Sequence, residues 1–321
     1  MTDASSRTYS REEIDKLRDK MLAYREGVSP PRTWPRLAEL SGVNEKTLAA
    51  WVPGTYDKGE YWKNQDIPAK VERFLASLEE RRSLGAAMPR RLGFQRTPTA
   101  DRIMKCLALA HLGDVALIST APGCGKTMSV EQFKATRSNV FLTTVSKGCP
   151  GPADVLGGLL AAMGEVGAKG TIGDLKRRIC AKMLGADGLL IVDEAQYCSE
   201  ASLEELRAIH DSTGCGLALV GDDKLPGLLR GFAQLHSRVG VSHFQKLPDP
   251  ADLTVLAQAW EIEDAACLTY LRSIAGKSGV GALRRLDKVV RLAVMSARSD
   301  DRALEVQDLK DAFAQRYREG Q

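Results

Sequence analysis

The sequence lacks an apolar run long enough to span a bilayer, and its first residues, MTDASSRTYSREE, are polar, unlike a signal peptide. It has seven cysteines but no CxxC pair, and its four histidines do not cluster with the cysteines at the spacing of a zinc site. These absences argue against a membrane protein, a disulphide-linked secreted protein and a zinc protein. We expect a soluble, cytoplasmic protein whose reduced cysteines lie in or near its core.

The composition is that of a globular protein with an uneven charge distribution. The chain has 321 residues, enough for two or three compact units, and 44% of them are hydrophobic. The net charge is only +4, and residues 1–98 alone carry 18 Lys and Arg against 14 Asp and Glu. The basic excess therefore lies in the N-terminal part, which indicates a polyanionic partner.

The chain divides into segments by its residue pattern. Residues 1–82 show helical periodicity, and residues 83–99 contain Gly, Pro and Arg without an apolar period, as in a linker. Residues 100–247 alternate short apolar runs with helical sequence, and residues 248–321 are helical throughout. Buried apolar runs separated by helices predict an α/β fold with a parallel sheet covered on both faces. The predicted strands are Asp114–Thr120, Asn139–Val145, Gly188–Glu194, Gly216–Asp222 and Val239–Leu247.

A glycine-rich turn, APGCGKT, follows the first predicted strand and precedes a predicted helix. This is the context of a P-loop, in which backbone N–H groups and the helix N-terminus surround phosphates. Lys126 is predicted to reach the β- and γ-phosphates, and Thr127 to ligate Mg²⁺. Thr120 stands where the motif G-x-x-x-x-G-K-T has its first glycine. The predicted ATP-binding residues of the loop are Ala121, Pro122, Gly123, Cys124, Gly125, Lys126, Thr127 and Met128.

Two adjacent carboxylates end the third predicted strand, in LLIVDEAQ. Ligands of open parallel sheets bind at the carboxyl ends of the strands, where Asp193 and Glu194 lie. We expect Asp193 to hold Mg²⁺ and Glu194 to polarise the water that attacks the γ-phosphate. The alternative is a chance glycine turn, but two carboxylates at the end of a buried strand are costly without a cation or water.

These two motifs in this order resemble those of the AAA+ ATPases. The resemblance implies a P-loop core followed by a helical lid, over about residues 100–321. It places Asp222 at the sensor-1 position, where Asn is common, and Arg238 at the position of the arginine finger, which implies self-association. It places Arg284, in Gly281-x-x-Arg284, at the sensor-2 position. The alternative for Arg238 and Arg284 is a solvated surface arginine.

The segment TWPRLAELSGVNEKTLAAW predicts a helix-turn-helix. Leu37, Ala38 and Leu40 would form one apolar face of the first helix, and Leu48, Ala49 and Val52 the buried face of the second. In a DNA-binding unit the second helix enters the major groove, and its predicted DNA-binding residues are Asn44, Lys46 and Thr47. Asn44 also fits as the N-cap of that helix. Contacts to the DNA backbone are favoured over recognition of a base sequence. The alternative to a DNA-binding domain is a helical protein–protein module of the same shape.

A helix-turn-helix domain joined by a linker to this AAA+ core and lid resembles the phage Mu transposition protein B family over nearly the whole chain. The resemblance implies ATP- and Mg²⁺-dependent filaments on double-stranded DNA, built through an interface containing Arg238. It also implies a transposase partner and a slow ATPase, stimulated by DNA and partner, whose hydrolysis clears the protein from DNA. For a phage-encoded protein the location would be the host cytoplasm.

A filament of this kind needs DNA-facing residues in the AAA+ core. Two loops of the sequence are candidates, VSKGCPG and the glycine-flexible, basic GAKGTIGDLKRRI. The predicted contacts are Lys147, Lys169, Thr171, Lys176 and Arg177. For the basic run that contains Lys176 and Arg177, the alternative is an ordinary solvated helix face.

Two other functions fit the motifs. One is a transcription regulator that reads an operator through the helix-turn-helix and uses ATP only as a ligand. The other is an AAA+ loader or secretion-type ATPase whose N-terminal domain binds a protein. A regulator would prefer one site over random DNA by roughly 10³ or more, whereas a loader would show no salt-dependent DNA affinity.

Overall fold

In the computed structural model the chain forms two compact units, Met1–Met88 and Pro89–Gln321. The structure describes residues 7–275 and 282–317. Each unit has its own apolar core. Helix α4 of the first unit continues to Ala87, so the first five residues of the predicted linker 83–99 are helical.

The first unit consists of helices. Its second and third helices are joined by a three-residue turn, in which Gly42 has a left-handed conformation with φ of 67°. Asn44 caps the third helix, because its side-chain oxygen accepts from the backbone N–H groups of Lys46 and Thr47. This is the arrangement that a helix-turn-helix requires. The helices are α1 Arg11–Glu26, α2 Trp34–Ser41, α3 Glu45–Trp51 and α4 Asp66–Ala87.

The core of the first unit includes Leu37, Leu48 and Trp51, each fully buried. Trp51 also donates from its indole nitrogen to the backbone oxygen of Tyr61, so it is a core anchor and not part of the exposed face of α3. The apolar face predicted for α2 is buried at Leu37, whereas Leu40 is 39% exposed.

Arginines at every seventh position of α1 stack on aromatic rings of the same unit. Seven residues are about two helical turns, so these side chains lie on one face of the helix. Their guanidinium carbons lie 3.9–4.6 Å from the ring centroids. Stacking of this kind buries the flat face of the guanidinium while its edge stays available for hydrogen bonds. The pairs are Arg11 with Trp62, Arg18 with Tyr61 and Arg25 with Trp34.

A five-stranded parallel sheet forms the centre of the second unit, with the strand order β2-β3-β4-β1-β5. All five predicted strands are confirmed, with ends that differ by at most two residues. The central strands β1, β3 and β4 are buried along their whole length, whereas β5 alternates between half-buried and exposed residues, as an edge strand does. The strands are β1 Val115–Thr120, β2 Val140–Thr144, β3 Leu189–Asp193, β4 Gly216–Gly221 and β5 Val239–Gln245.

Helices cover both faces of this sheet. Val115 and Leu117 of β1 belong to the core on one face, and Ala116 and Ile118 to the core on the other, because successive residues of a strand point to opposite sides. Continuous apolar strands therefore match a sheet buried on both faces. The helices around the sheet are α5 Pro98–His111, α6 Lys126–Ala135, α7 Pro152–Ala162, α8 Ile172–Met183, α9 Glu200–Thr213, α10 Leu225–Arg230 and α11 Ala233–His236.

The remaining helices form a lid with a separate apolar core. They are α12 Pro250–Ala259, α13 Ala265–Ala275, α14 Ala282–Ser299 and α15 Val306–Arg316. The α/β fold with a parallel sheet and an all-helical lid, preceded by helices, is thus confirmed. No helix in the described ranges is both long and apolar enough to cross a membrane.

The seven cysteines are free thiols, and five of them are buried. Cys180 is half-buried. The prediction that all seven lie in or near the core is wrong for Cys149, which is exposed in the loop after β2, between Gly148 and Pro150.

A buried carboxylate joins the start of the lid to the sheet domain. Asp252 of α12 has no exposed surface, and it accepts hydrogen bonds from the backbone N–H and the hydroxyl of Thr99 at the start of α5. The backbone N–H of Asp249 also donates to it, at 2.9 Å. On the sheet side, the amide of Gln245 donates to the Thr99 hydroxyl at 2.8 Å. A buried carboxylate is tolerated here because donors surround it.

Asp252→Ala is expected to lower the free energy of unfolding of the second unit by about 2–4 kcal/mol, because it leaves buried donors of Thr99 and Asp249 without an acceptor. Scanning calorimetry of the full chain measures the effect. Glu263→Ala, at an exposed position of the same lid, is the control and should change the transition little. Equal transitions for the two variants would contradict the proposed importance of this carboxylate.

Candidate functional site

The glycine-rich turn between β1 and α6 has the backbone conformation of a P-loop. Gly123 and Gly125 have φ of 85° and 89°, which only glycine adopts without strain, and Gly125 is the N-cap of α6. Thr120, at the position of the first motif glycine, is the last residue of β1 and pairs with Gln245 in β5. Extended strand conformation suits threonine, so this departure from the motif leaves the loop intact.

Lys126 is 8% exposed at the start of α6. Its Nζ donates to the backbone oxygens of Thr120 and Ala121, so the ammonium lies inside the loop. Burial lowers the pKa of Lys126, and the carboxylates of Glu194, Asp193 and Asp222 oppose that shift. The positive charge is therefore surrounded by the acidic side chains that the sequence predicted for the same site.

Asp193 and Thr127 supply neighbouring oxygens beside the loop. Asp193 is 2% exposed at the end of β3, and Thr127 Oγ1 donates to its Oδ2 at 3.3 Å. Burial raises the pKa of Asp193, and the hydrogen bonds from Glu194 N–H and Thr127 partly oppose this shift. Protein P-loop sites hold Mg²⁺ by a hydroxyl and a carboxylate, with phosphate and water as the other ligands, so the two residues fit that ion.

The described residues contain no cluster of three or more His, Cys, Asp or Glu side chains that would hold a metal without phosphate.

Glu194 and Asp222 lie at the ends of neighbouring strands and are linked by a residue that we did not predict. The Gln196 amide donates to Glu194 Oε2 at 2.6 Å, and its oxygen accepts from the Asp222 backbone N–H at 3.2 Å. Ser119, which was also missed, donates from its hydroxyl to the Asp222 backbone oxygen at 2.7 Å. The motif DEAQ was the only signal in the sequence that pointed to Gln196.

The lid touches the P-loop through the start of α14. The backbone N–H of Leu283 donates to the Gly123 oxygen at 3.2 Å. The predicted sensor-2 residue Arg284 follows it and is exposed, whereas Gly281 of the same motif lies outside the described residues. The next residue, Arg285, stacks on Tyr317 at 4.2 Å and belongs to the lid. The start of α14 is thus adjacent to the nucleotide site.

Arg238 lies at the opposite edge of the sheet from the P-loop. It precedes Val239, which pairs with Val115 at the beginning of β1, whereas the P-loop follows Thr120 at the end. Five residues of strand span about 17 Å, farther than an arginine side chain extends. Arg238 is exposed and pairs with Asp211, with Nε and Oδ1 3.1 Å apart. Within one chain it therefore cannot reach the nucleotide site.

The predicted DNA-binding residues of the second unit differ in whether they bind other side chains of the protein. Lys147 and Lys169 are exposed in the two predicted loops. Thr171 is the N-cap of α8, where its hydroxyl donates to Asp174 and accepts from the Asp174 backbone N–H. Lys176 pairs with Glu205 at 2.8 Å, and Arg177 with Asp174 at 2.7 Å. The two loop lysines are thus the better candidates for phosphate contacts. In the first unit Lys46 is exposed and Thr47 half-buried.

Lys126→Ala is expected to weaken ATP binding by on the order of 100-fold. The change removes the ammonium group that lies inside the P-loop, where it would bind the phosphates. Titration with a fluorescent ATP analogue measures this affinity. Lys134→Ala, which removes an exposed lysine near the other end of the same helix, is the matched control and should bind as the unaltered protein does. Full affinity in Lys126→Ala would contradict the assignment of the loop.

Comparison with known proteins identifies the family. Residues 111–229 match the family model of the AAA domain, and residues 237–315 match that of the Mu B transposition protein, C terminal. The chain is 30% identical to the ATP-dependent target DNA activator B of Escherichia phage Mu over 288 residues, which are 88% of this chain and 89% of that protein. It is 33% identical to the Mu-like prophage FluMu DNA transposition protein B of Haemophilus influenzae over 256 residues, 77% of this chain and 87% of that one.

A solved structure agrees with the fold. Cdc6p from Pyrobaculum aerophilum superposes with a TM-score of 0.55 over 72% of this chain and 70% of its own, at 12% identity. At that identity the likeness concerns the fold alone. The two sequence relatives cover 88% and 77% of this chain, the Mu B family model matches its C-terminal part, and together they confirm the resemblance that the motifs indicated. The chain belongs to the Mu B transposition protein family.

Proposed function

We propose that this protein is an ATP-dependent target DNA activator of a transposition system, with a weak ATPase activity. The observation that carries the proposal is the juxtaposition of Lys126, Thr127 and Asp193 around an intact P-loop. It occurs in a chain that matches a protein named ATP-dependent target DNA activator B over most of both lengths.

Each side chain has a distinct part in the proposed hydrolysis of ATP. Lys126 would bind the β- and γ-phosphates, exchanging the two backbone oxygens it now contacts for phosphate oxygens. Thr127 and Asp193 would hold Mg²⁺, which neutralises phosphate charge when bound. Glu194 would orient and polarise the attacking water, and Asp222 would lie beside the γ-phosphate as the sensor residue.

Self-association completes the site in this proposal. Because Arg238 lies about 17 Å of strand away from the P-loop of its own chain, it would serve only the nucleotide of a neighbouring subunit. Head-to-tail contacts of this kind do not close into a dimer and generate rings or helical filaments. We infer a filament on double-stranded DNA, in which Arg284 at the start of the lid contacts the nucleotide from within the same chain.

The proposed DNA contacts are electrostatic and largely independent of sequence. Lys147 and Lys169 would contact phosphate oxygens from the second unit, and the helix-turn-helix segment would add contacts from Asn44, Lys46 and Thr47. We assign residues 1–82 to a DNA-binding domain, 83–99 to a connecting segment that includes the end of α4 and the start of α5, 100–247 to the ATPase core and 248–321 to the lid. The expected partner protein is a transposase, and the expected location is the cytoplasm.

Negative-stain electron microscopy on long random-sequence duplex DNA tests the proposed function. Filaments are expected with ATP and Mg²⁺ but not without nucleotide, because assembly needs an occupied site between subunits. Glu194→Gln is expected to bind ATP, to hydrolyse it at least about 100-fold more slowly, and to stay on DNA longer. Bare DNA under all conditions would favour the protein-binding loader, and particles at one preferred site would favour the transcription regulator.

Replacing Lys147 and Lys169 together by Ala is expected to weaken DNA binding on all sequences, because phosphate contacts carry no sequence information. The slope of log affinity against log salt concentration should fall by about 2, one for each lysine. Filter binding at several salt concentrations measures the slope. A double replacement of the exposed Lys134 and Lys310 by Ala is the equal-charge control. Identical curves for both pairs would remove the loop lysines from the DNA surface.

A further inference from the structure

Gln196 lies between Glu194 and Asp222 of the proposed ATPase site, and it is not part of the P-loop. It is the second residue of the short turn that follows Glu194. Its amide nitrogen is 2.6 Å from Glu194 Oε2, and its amide oxygen is 3.2 Å from the Asp222 backbone nitrogen. The side chain thus connects the end of β3 with the end of β4.

The orientation of this amide is fixed by its two neighbours. A carboxylate accepts hydrogen bonds and a backbone N–H donates them, so the NH₂ group must face Glu194 and the oxygen must face Asp222. The opposite orientation would place two acceptors together at one end and two donors together at the other. Gln196 is therefore a rigid connection with one favourable state.

A glycine makes room for this connection, and Glu194 has an unusual backbone conformation beside it. Gly221, the last residue of β4, has no side chain, and a Cβ atom there would overlap the Gln196 amide oxygen. Glu194 has φ of 56° and ψ of 34°, a left-handed conformation that is uncommon for a residue with a side chain and costs about 1 kcal/mol or more. Strained backbone of this kind is common at functional sites, and here it lies in the residue whose carboxylate accepts from Gln196.

The contact leaves one oxygen of Glu194 available for chemistry. Among the described residues, Gln196 is the one side chain that donates to the Glu194 carboxylate, and it binds Oε2. Oε1 is then left to accept a proton from an attacking water. On the other side, the Ser119 hydroxyl binds the Asp222 backbone oxygen, so the chain of hydrogen bonds reaches β1, which leads into the P-loop.

We propose that Gln196 is a positioning residue that orients the Glu194 carboxylate for water activation and couples it to the Asp222 backbone. The proposal rests on the proposed function, in which Glu194 polarises the attacking water. Gln196 does not touch the phosphates in this proposal. Its removal should therefore slow hydrolysis and leave nucleotide binding intact.

The test compares Gln196→Met, Glu194→Gln and the double variant in the full chain, with DNA present. Gln196→Met keeps the length of the side chain but removes both hydrogen bonds. We expect kcat to fall on the order of tenfold, with KM and the affinity for a fluorescent ATP analogue within about twofold of the unaltered protein. In the Glu194→Gln background, measured by single turnover, the same replacement should have no further effect, because the carboxylate that it orients is gone.

Gln132→Met on α6, also a half-buried glutamine, is the control for the loss of an amide and should keep full activity. Gln196→Glu is a second variant if the methionine lowers the melting temperature. It retains the acceptor for Asp222 and replaces the donor by a carboxylate that repels Glu194, so its kcat should fall at least as far.

The outcomes separate this inference from the function on which it rests. An unchanged kcat in Gln196→Met, or a fall that persists in the Glu194→Gln background, would overturn the role of Gln196 and leave the ATPase assignment intact. A rise in KM at constant kcat would also overturn it. Absence of ATP hydrolysis in the unaltered protein, or full activity of Glu194→Gln, would instead contradict the proposed function.

Discussion

The buried charge of Lys126 is the constraint on which the rest of the site depends. An ammonium group that is 8% exposed is stable only if acceptors and opposite charge lie close to it. The loop provides two backbone oxygens, and the two neighbouring strands β3 and β4 bring the carboxylates of Asp193, Glu194 and Asp222 toward the same point. A parallel sheet achieves this because all its strands end at one edge. ATP would add negative charge beside this lysine, and Mg²⁺ would add positive charge beside the carboxylates, so the side chains of the site have the opposite charge for each.

The sheet and the P-loop could be predicted from the sequence because local residue types determine them. Buried parallel strands are continuous apolar runs, and the glycines with positive φ occupy the positions that the motif requires. The resemblance to a family added the order of the motifs, and that order is confirmed. The helical period of a short helix predicts which residues share a face, but it does not predict which of them are buried. Leu40 shares an apolar helix face with Leu37 in the sequence, but only Leu37 is buried, because burial depends on which neighbouring element packs against each position.

Contacts between distant segments could not be predicted. Thr99 and Asp252 are 153 positions apart, and each looks like an ordinary helix-capping residue in the sequence. Gln196 was visible in DEAQ, but its partner is a backbone N–H on another strand, and backbone groups have no signature in a sequence. The basic residues of α8 show the same difficulty. Their basic sequence predicted a DNA surface, and that stays a prediction; the pairing of Lys176 with Glu205, 29 positions away, had no signal in the sequence.

The lid contacts the rest of the second unit at several points, which include an ion pair of Arg102 with Asp249 beside Asp252, and two of these contacts differ greatly in strength. At one end, Asp252 binds Thr99 through charged, fully buried hydrogen bonds, and at the other a single neutral hydrogen bond joins Leu283 to Gly123. Buried charged hydrogen bonds are roughly twice as strong as neutral ones. A rotation of the lid would therefore break the second attachment first and turn about the first as its pivot. The carbonyl that is released is that of Gly123 in the phosphate loop. A small change in that loop would therefore act on the lid far from its pivot, where it produces the largest rotation for a given force.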